Sequence, residues 1–134
     1  MALKSRNIQI TKDEDIKKFV VGVINQDIGE QKLLERGIPV ANLQPTSSPR
    51  SIIQKLEAKR IDLWCYDSIT AFYLIKSNQF NVSDYEVIYT LAQNELFFAF
   101  SKNVSDKIIK SLQDALEQLV KSGKYDKILA KYAK

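Results

Sequence analysis

The stretch FVVGVINQDIGEQKLLERG, residues 19–37, decides the fold. Its first six residues, 19–24, are a continuous apolar run rich in β-branched side chains, which is typical of a strand buried on both faces of a parallel sheet. Three polar residues ending at Asp27 follow, and a helical pattern then runs to Gly37, a residue common at helix C-caps. The stretch therefore predicts a strand, a turn and a helix in that order.

The same order of elements repeats further along the chain. Residues 40–43 form a predicted short strand, and a predicted helix ends near Lys59. A second long apolar run at 61–66 leads into another helix, which carries Ile69 to Ile75. This alternation predicts an α/β fold with mainly parallel strands, right-handed crossovers and helices on the faces of the sheet.

Capping residues mark the start of both of these helices. The turn cluster QPTSSP, residues 44–49, puts Ser47 or Ser48 at the N-cap of the first helix. Asp67 and Ser68 stand at the start of the second one.

The remainder of the chain predicts two more strands and two helices. The strands are residues 85–91 and 95–100, and Gly123 separates the helices. The first of these helices has apolar residues at helical spacing, namely Ile108, Leu112, Ala115, Leu116 and Leu119. The second is predicted to face inward with Tyr125, Ile128, Leu129 and Tyr132.

Composition argues against most enzyme classes. The chain of 134 residues contains no His and one Cys, and it has no Gly-rich loop with the spacing of a phosphate-binding motif. We therefore predict a non-enzymatic protein with no metal and no cofactor, in which Cys65 is a buried, inert thiol. The net charge of +4 is spread along the chain, so nucleic acid is not the predicted partner, and the C-terminal lysines up to Lys134 read as a solvated helix face. No stretch approaches the roughly 20 apolar residues of a membrane helix.

Two carboxylates follow predicted strands, where α/β sheets bind their ligands. Asp27 comes after the first strand and Asp67 after the second long one, so both should face one crevice. The adjacent polar residues Asn25, Gln26 and Ser68 are the further candidate contacts. Three interpretations stay open for the two aspartates, namely helix N-caps, a catalytic carboxylate pair, and ligand contacts. Capping and ligand binding are compatible, because a cap leaves one carboxylate oxygen free. The nearby aromatic residues Trp64, Tyr66 and Tyr73 are predicted to belong to the core, with a stacking platform in the cleft as the alternative.

Three stretches of the chain resemble one protein family. The runs VVGVINQDIGEQKLLERGIP, SIIQKLEAKRIDLWCYD and LFFAFSKNVSDKIIKSLQDALEQLVKSGKYDKILAKY are similar to the second half of family-3 extracellular solute-binding proteins. The resemblance covers residues 15–132 and implies a type II periplasmic-binding fold. It also implies a periplasmic protein that binds a small polar ligand, such as an amino acid, for an ABC transporter. In these relatives the aspartate at the position of Asp67 pairs with the ligand ammonium. The family often has a Gly-Thr or Gly-Ser loop where this chain has Gln26-Asp27-Ile28-Gly29, which is a departure.

The resemblance also divides the chain. Residues 1–15 are the expected crossover or hinge segment, residues 16–93 the ligand-binding lobe two, and residues 94–134 the strand and helices that complete lobe one in full-length relatives. Because the apolar strand at 95–100 would lack its covering partners, we expect element exchange in a homodimer or repacking of the C-terminal helices on lobe two. The alternative function is a sensory ligand-binding domain of the same fold in a signalling protein.

Overall fold

The computed structural model describes residues 1–93 and 95–132. Asn94, in the predicted connection before the last strand, and Lys134, at the end of the basic helix face, lie outside the described residues.

A three-stranded parallel sheet forms the centre of the fold. Strand β2 (Val21–Ile24) lies between β3 (Leu43–Thr46) and β4 (Leu63–Trp64), and both neighbours run parallel to it. Val21 is opposite Leu43 on one side and opposite Leu63 on the other. The predicted α/β fold with parallel strands is thereby confirmed.

A short antiparallel pair extends this sheet beyond β4. Strand β1 (Ala2–Leu3) pairs with β5 (Tyr85–Glu86). The Trp64 amide donates to the Met1 carbonyl at 2.9 Å, and the Met1 amine donates to the Trp64 carbonyl at 3.0 Å. The strand predicted at 85–91 is thus paired over its first two residues.

Helices connect and flank the strands. They are α1 (Asp13–Ile16), α2 (Ile28–Glu35), α3 (Pro49–Glu57), α4 (Ser68–Ser77), α5 (Asp106–Lys121) and α6 (Lys124–Leu129), with 3-10 turns at Lys4–Arg6, Val40–Asn42 and Val82–Asp84. Ser48 is the N-cap of α3 and accepts a hydrogen bond from the Ser51 amide at 3.4 Å, so the second of the two predicted serines caps this helix.

Two apolar cores lie on opposite faces of the sheet, because successive strand side chains alternate in direction. Val21 and Val23 of β2 belong to the core that α2 covers through Leu33. The other core is built from α3, α4 and β4, with Ile52, Ile53, Leu56, Ala71, Ile75 and Trp64 all nearly inaccessible to solvent. Gly22 is part of this fit, since a Cβ there would stand 2.6 Å from Ile61 Cδ1 and 3.1 Å from Ile52 Cγ2.

The prediction for the second strand was wrong in its position. Residues 40–42 form a 3-10 turn, whose Asn42 side chain donates to the carbonyls of Lys17 and Phe19 at 2.9 Å each. The strand is Leu43–Thr46 instead, within the segment 44–49 that was predicted to be a turn. Pro45 suggested that turn, but β3 is an edge strand of the parallel sheet, where a residue without an N–H can be accommodated.

The predictions for the C-terminal region were also wrong in part. Residues 95–100 form no strand, and Leu96 and Phe97 are 97% and 83% exposed. Helices α5 and α6 pack on each other, but no described residue of either helix is buried. The side of α6 that was predicted to face inward is therefore half exposed. The physical reason is that the described segments supply no partner for these apolar faces. Tyr132 makes an edge-on contact with Tyr73 on α4, with ring centroids 5.6 Å apart.

Asp62 joins three separate parts of the sheet region. Its Oδ1 pairs with the Arg6 guanidinium, and its Oδ2 accepts a hydrogen bond from the Val20 amide at 2.9 Å. The carboxylate is 17% exposed. One side chain thus fixes the N-terminal segment and the start of β2 next to β4.

We expect Asp62→Asn to lower the free energy of unfolding by about 2 kcal/mol, because it leaves Arg6 without its partner in a partly buried position. Urea unfolding followed by circular dichroism measures this change. Glu35→Gln is the matched control, since it removes an exposed ion pair with Lys32 on α2 and should cost less than about 0.5 kcal/mol. Equal losses in the two variants would contradict the structural role of Asp62.

Candidate functional site

Three strand-to-helix turns meet at the carboxyl edge of the parallel sheet. The turn 25–27 follows β2, Ser47 and Ser48 follow β3, and residues 65–67 follow β4. Because β2 lies between the other two strands, its turn occupies the middle of this edge. Open α/β sheets bind their ligands at such an edge, outside the carboxyl ends of the strands.

Asp67 is both a helix cap and an available carboxylate. Its Oδ1 accepts hydrogen bonds from the Thr70 amide at 2.8 Å and from the Thr70 hydroxyl at 2.6 Å, which makes it the N-cap of α4. Among the described residues, Oδ2 accepts no hydrogen bond. The side chain is exposed, so this oxygen can meet a ligand from solvent.

Asp27 stands at the N-cap of α2 by its backbone, but its side chain does not cap the helix. The backbone has the extended conformation of an N-cap, with φ −81° and ψ 160°, and no side-chain cap bond is formed. Glu30 satisfies a local donor instead, because its Oε2 accepts from the Gln26 amide at 2.6 Å. The N-cap interpretation thus holds for the Asp67 side chain and fails for that of Asp27, whose carboxylate pairs with no described residue.

A close contact brings the start of α2 against the end of β4. A Cβ on Gly29 would lie 3.1 Å from the Cys65 carbonyl oxygen and 3.2 Å from its Sγ, and the Cys65 thiol is 3.6 Å from the Gly29 carbonyl. A side chain at this position would require Cys65 to move by a few tenths of an ångström. The contact places Asp27, two residues before Gly29, beside the turn that carries Asp67.

Tyr66 lies near both carboxylates, and sequence reasoning preferred a core position for it over a place in the cleft. Burial raises the pKa of its phenol, and the negative charges of Asp27 and Asp67 raise it further. Its ring stacks on Trp64 with centroids 5.3 Å apart and planes 12° from parallel. The core prediction was right for Trp64, which is 1% exposed, whereas Tyr66 is partly exposed and Tyr73 is 46% exposed. The position of Tyr66 directly before Asp67 was the signal in the sequence that could have identified it.

The remaining candidates lie on the surface of the same edge. Asn25, Gln26 and Ser68 are exposed. The Asn25 amide donates to the Thr46 carbonyl at 3.0 Å, which continues the pairing of β2 with β3 into the turn. Gln26 has a positive φ of 59°, and its carbonyl accepts from the Gln31 side chain at 3.3 Å. All five predicted residues are therefore on the two neighbouring turns after β2 and β4.

Two surface depressions lie elsewhere on the molecule. They have volumes of about 340 and 620 Å³ and are lined by residues next to β1 and β5, including Lys4, Ser83 and Tyr85. None of the five predicted site residues lines them.

Comparison with known proteins identifies this architecture. A probable histidine-binding protein of Neisseria gonorrhoeae is 29% identical over 136 residues, which cover 98% of this chain and 50% of that protein. An ancestral arginine-binding protein, solved with glutamine bound, superposes with a TM-score of 0.67 and 26% identity over 99% of this chain and 58% of that one. The same kind of protein bound to arginine gives a TM-score of 0.66 and 25% identity over 98% and 57% of the two chains. The chain has a fold of the periplasmic-binding-protein type. The resemblance to amino-acid-binding proteins is thereby confirmed, and these relatives are binding proteins.

The match has a defined extent. The chain spans about half the length of the curated relative and somewhat more than half of the solved structures. No family model matches the sequence. Within the described residues, no helix is both long and apolar enough to span a bilayer.

The environment of Cys65 predicts a slow thiol. Burial raises its pKa, and the charge of Asp27 also acts in that direction, so the thiolate fraction near neutral pH is small. We expect the folded chain to react more slowly with a disulfide reagent than the urea-unfolded chain does. The difference in reaction rate should persist as pH rises, until the pH exceeds the pKa of the Cys65 thiol in the folded chain. The disulfide reagent releases a coloured thiol when it reacts with Cys65, and the absorbance of that thiol measures the reaction rate.

A packing variant tests the same contact. Gly29→Ala should accelerate the reaction of Cys65, because the added Cβ pushes α2 away from the thiol. Gly37→Asn is the control, since a Cβ at Gly37 meets no atom within 4 Å and Asn is among the residues that best tolerate its positive φ of 71°. If the wild-type thiol reacts as fast in the folded as in the unfolded chain, the close packing described here is contradicted.

Proposed function

We propose that this chain is the ligand-binding lobe of a solute-binding protein that captures an amino acid in a cleft between two lobes. One observation carries the proposal, namely the group of polar side chains at the carboxyl edge of a sheet whose fold matches that of amino-acid-binding proteins. Among the described residues, Asp67 Oδ2 and the Asp27 carboxylate have no partner. The whole protein is proposed to act in the periplasm and to deliver the captured amino acid to an ABC permease. No chemical step is proposed, because the site offers polar contacts and no nucleophile with a base.

Asp67 is the proposed contact for the ligand ammonium. The cap bonds to Thr70 hold its carboxylate by Oδ1 and leave Oδ2 without a partner among the described residues. A charge-assisted hydrogen bond between an ammonium and a carboxylate is among the strong ones in proteins. Asp27, Gln26, Asn25 and Ser68 are the proposed neighbouring contacts, since they lie on the same edge.

A polar clasp supports the proposed division into lobes. The Tyr89 hydroxyl donates to Asp13 Oδ1 at 2.7 Å, and the Arg36 Nε lies 3.1 Å from Asp13 Oδ2. Arg36 also donates to the Leu91 carbonyl. The clasp joins the proposed crossover segment, residues 1–15, to the chain near residue 90. The proposed lobe two, residues 16–93, ends in this region. Residues 94–134 are the proposed contribution to lobe one. Closure would bend the chain at these two segments.

The role of Asp67 is tested by Asp67→Asn, which can keep the cap on α4 but removes the charge. A thermal-shift screen of the free amino acids first identifies a ligand, because a molecule that binds the native state raises its unfolding midpoint. Titration calorimetry with that ligand should then show a Kd at least about tenfold higher for the variant, which corresponds to about 1.4 kcal/mol.

Asp114→Asn is the control for this experiment, since Asp114 forms an exposed ion pair with Lys110 on α5, away from the sheet edge. Its affinity should equal that of the wild-type chain. An unchanged Kd in Asp67→Asn would overturn the assignment of Asp67.

The exposed C-terminal segment favours a homodimer by element exchange as the state of the isolated chain. Leu96, Phe97 and Phe98 are 97%, 83% and 68% exposed, and Ile108 and Val120 on the apolar side of α5 are 60% and 52% exposed. Apolar surface of this extent is rarely left open to water. A second copy can cover it by pairing the equivalent segment, as occurs when identical elements are exchanged between protomers.

Sedimentation velocity should therefore show a dimer whose fraction increases with concentration. The double substitution Leu96→Ser and Phe98→Ser should shift the protein to monomer, because it removes apolar area from the proposed contact. Val40→Ser is the control, since Val40 is 73% exposed on the lobe itself. A wild-type chain that stays monomeric at all concentrations would contradict the proposed exchange.

A further inference from the structure

We propose that Asp27 and Tyr66 form a side-chain subsite next to Asp67 and that this subsite selects amino acids with a positively charged side chain. The inference rests on the proposed function, since it names the class of ligand for the same site and assigns a specificity role to a tyrosine that sequence reasoning placed in the core.

The carboxylate of Asp27 is uncompensated within the described part of the chain. It forms no cap bond and no ion pair there, although it is partly shielded from solvent. Other aspartates of the lobe are paired, with Asp62 bound to Arg6, Asp13 to Arg36 and Asp15 to Lys18. A partly desolvated carboxylate gains more from a cation than from a neutral donor. Asp27 thus has the charge and position to bind a cationic group.

Tyr66 is held in place without using its hydroxyl. Its ring rests on the buried Trp64 at a centroid distance of 5.3 Å, and the described residues provide no hydrogen-bond partner for the phenol oxygen. Gly29 approaches Cys65, the residue before Tyr66, and this contact brings the turn that carries Asp27 close to Tyr66. A ligand cation there can meet the carboxylate, the phenol oxygen and the aromatic ring together.

The charges around the carboxyl edge favour ligands with a cationic side chain over ligands with a neutral or anionic one. Asp27 and Asp67 lie after neighbouring strands β2 and β4, so one ligand with two cationic groups can pair with both. Arg50 is in the first turn of α3, after β3 and on the other side of β2, where it is available to a carboxylate. An anionic side chain at Asp27 would be repelled, and a neutral one would shield the carboxylate without pairing with it.

Arginine and citrulline test this inference, because they have nearly the same shape and differ in the charge of the side chain. Amide chemical shifts of the full 134-residue chain are followed during titration with each compound. We expect arginine to bind at least about tenfold more tightly than citrulline, equivalent to about 1.4 kcal/mol. Asp27→Asn should remove most of this preference, because it should weaken arginine binding much more than citrulline binding. Tyr66→Phe keeps the stacked ring and should reduce the preference by a smaller factor.

Glu86→Gln and Tyr73→Phe are the matched controls, since they remove one charge and one hydroxyl away from the carboxyl edge, and both should retain the wild-type preference. Equal binding of arginine and citrulline, or an undiminished preference in Asp27→Asn, would overturn the inference while the proposed function stands. If the wild-type chain binds neither these compounds nor any other free amino acid, the proposed function itself fails, and the inference fails with it.

Discussion

The parallel pairing of β2 with both β3 and β4 is the constraint on which the rest of the structure depends. Strand β2 pairs with β3 over four residues, Val21–Ile24, and with β4 over Val21 and Gly22, which aligns the ends of three strands at one edge of the sheet. Parallel neighbours require a crossover, so α2 and α3 must cover the two faces, and each begins at that same edge. The polar turn residues are gathered there as a consequence of topology, although they are some 40 positions apart in the sequence.

Close packing around β2 makes this arrangement specific. Gly22 allows Ile52 and Ile61 to contact the strand directly, and Gly29 allows the start of α2 to approach the end of β4. Both contacts bring backbone segments nearer than a larger residue would permit. They connect the packing of the core to the position of Asp27 beside Tyr66, so the geometry of the candidate site is set by packing beneath it.

Local patterns were sufficient to predict the features that depend on nearby residues. The apolar run at 19–24, the Ser48 and Asp67 caps and the edge position of both aspartates follow from periodicity and capping chemistry. Features that depend on distant partners were not predictable in this way. Pro45 resembles a turn residue until its place at a sheet edge is known, and residues 95–100 have a strand composition without a described strand to pair with. The site role proposed for Tyr66 depends on the stacking with Trp64 and on the approach of α2, neither of which is visible in a single sequence.

The central claim is that the carboxyl edge of the parallel sheet is the ligand-binding surface. The most direct measurement is a crystal structure of this chain grown in the presence of the amino acid that raises its unfolding midpoint most. The account predicts electron density for that amino acid against residues 25–27 and 65–68, with its ammonium at Asp67 Oδ2. Density for the ligand in the depressions beside β1 and β5, with the carboxyl edge empty, would contradict it.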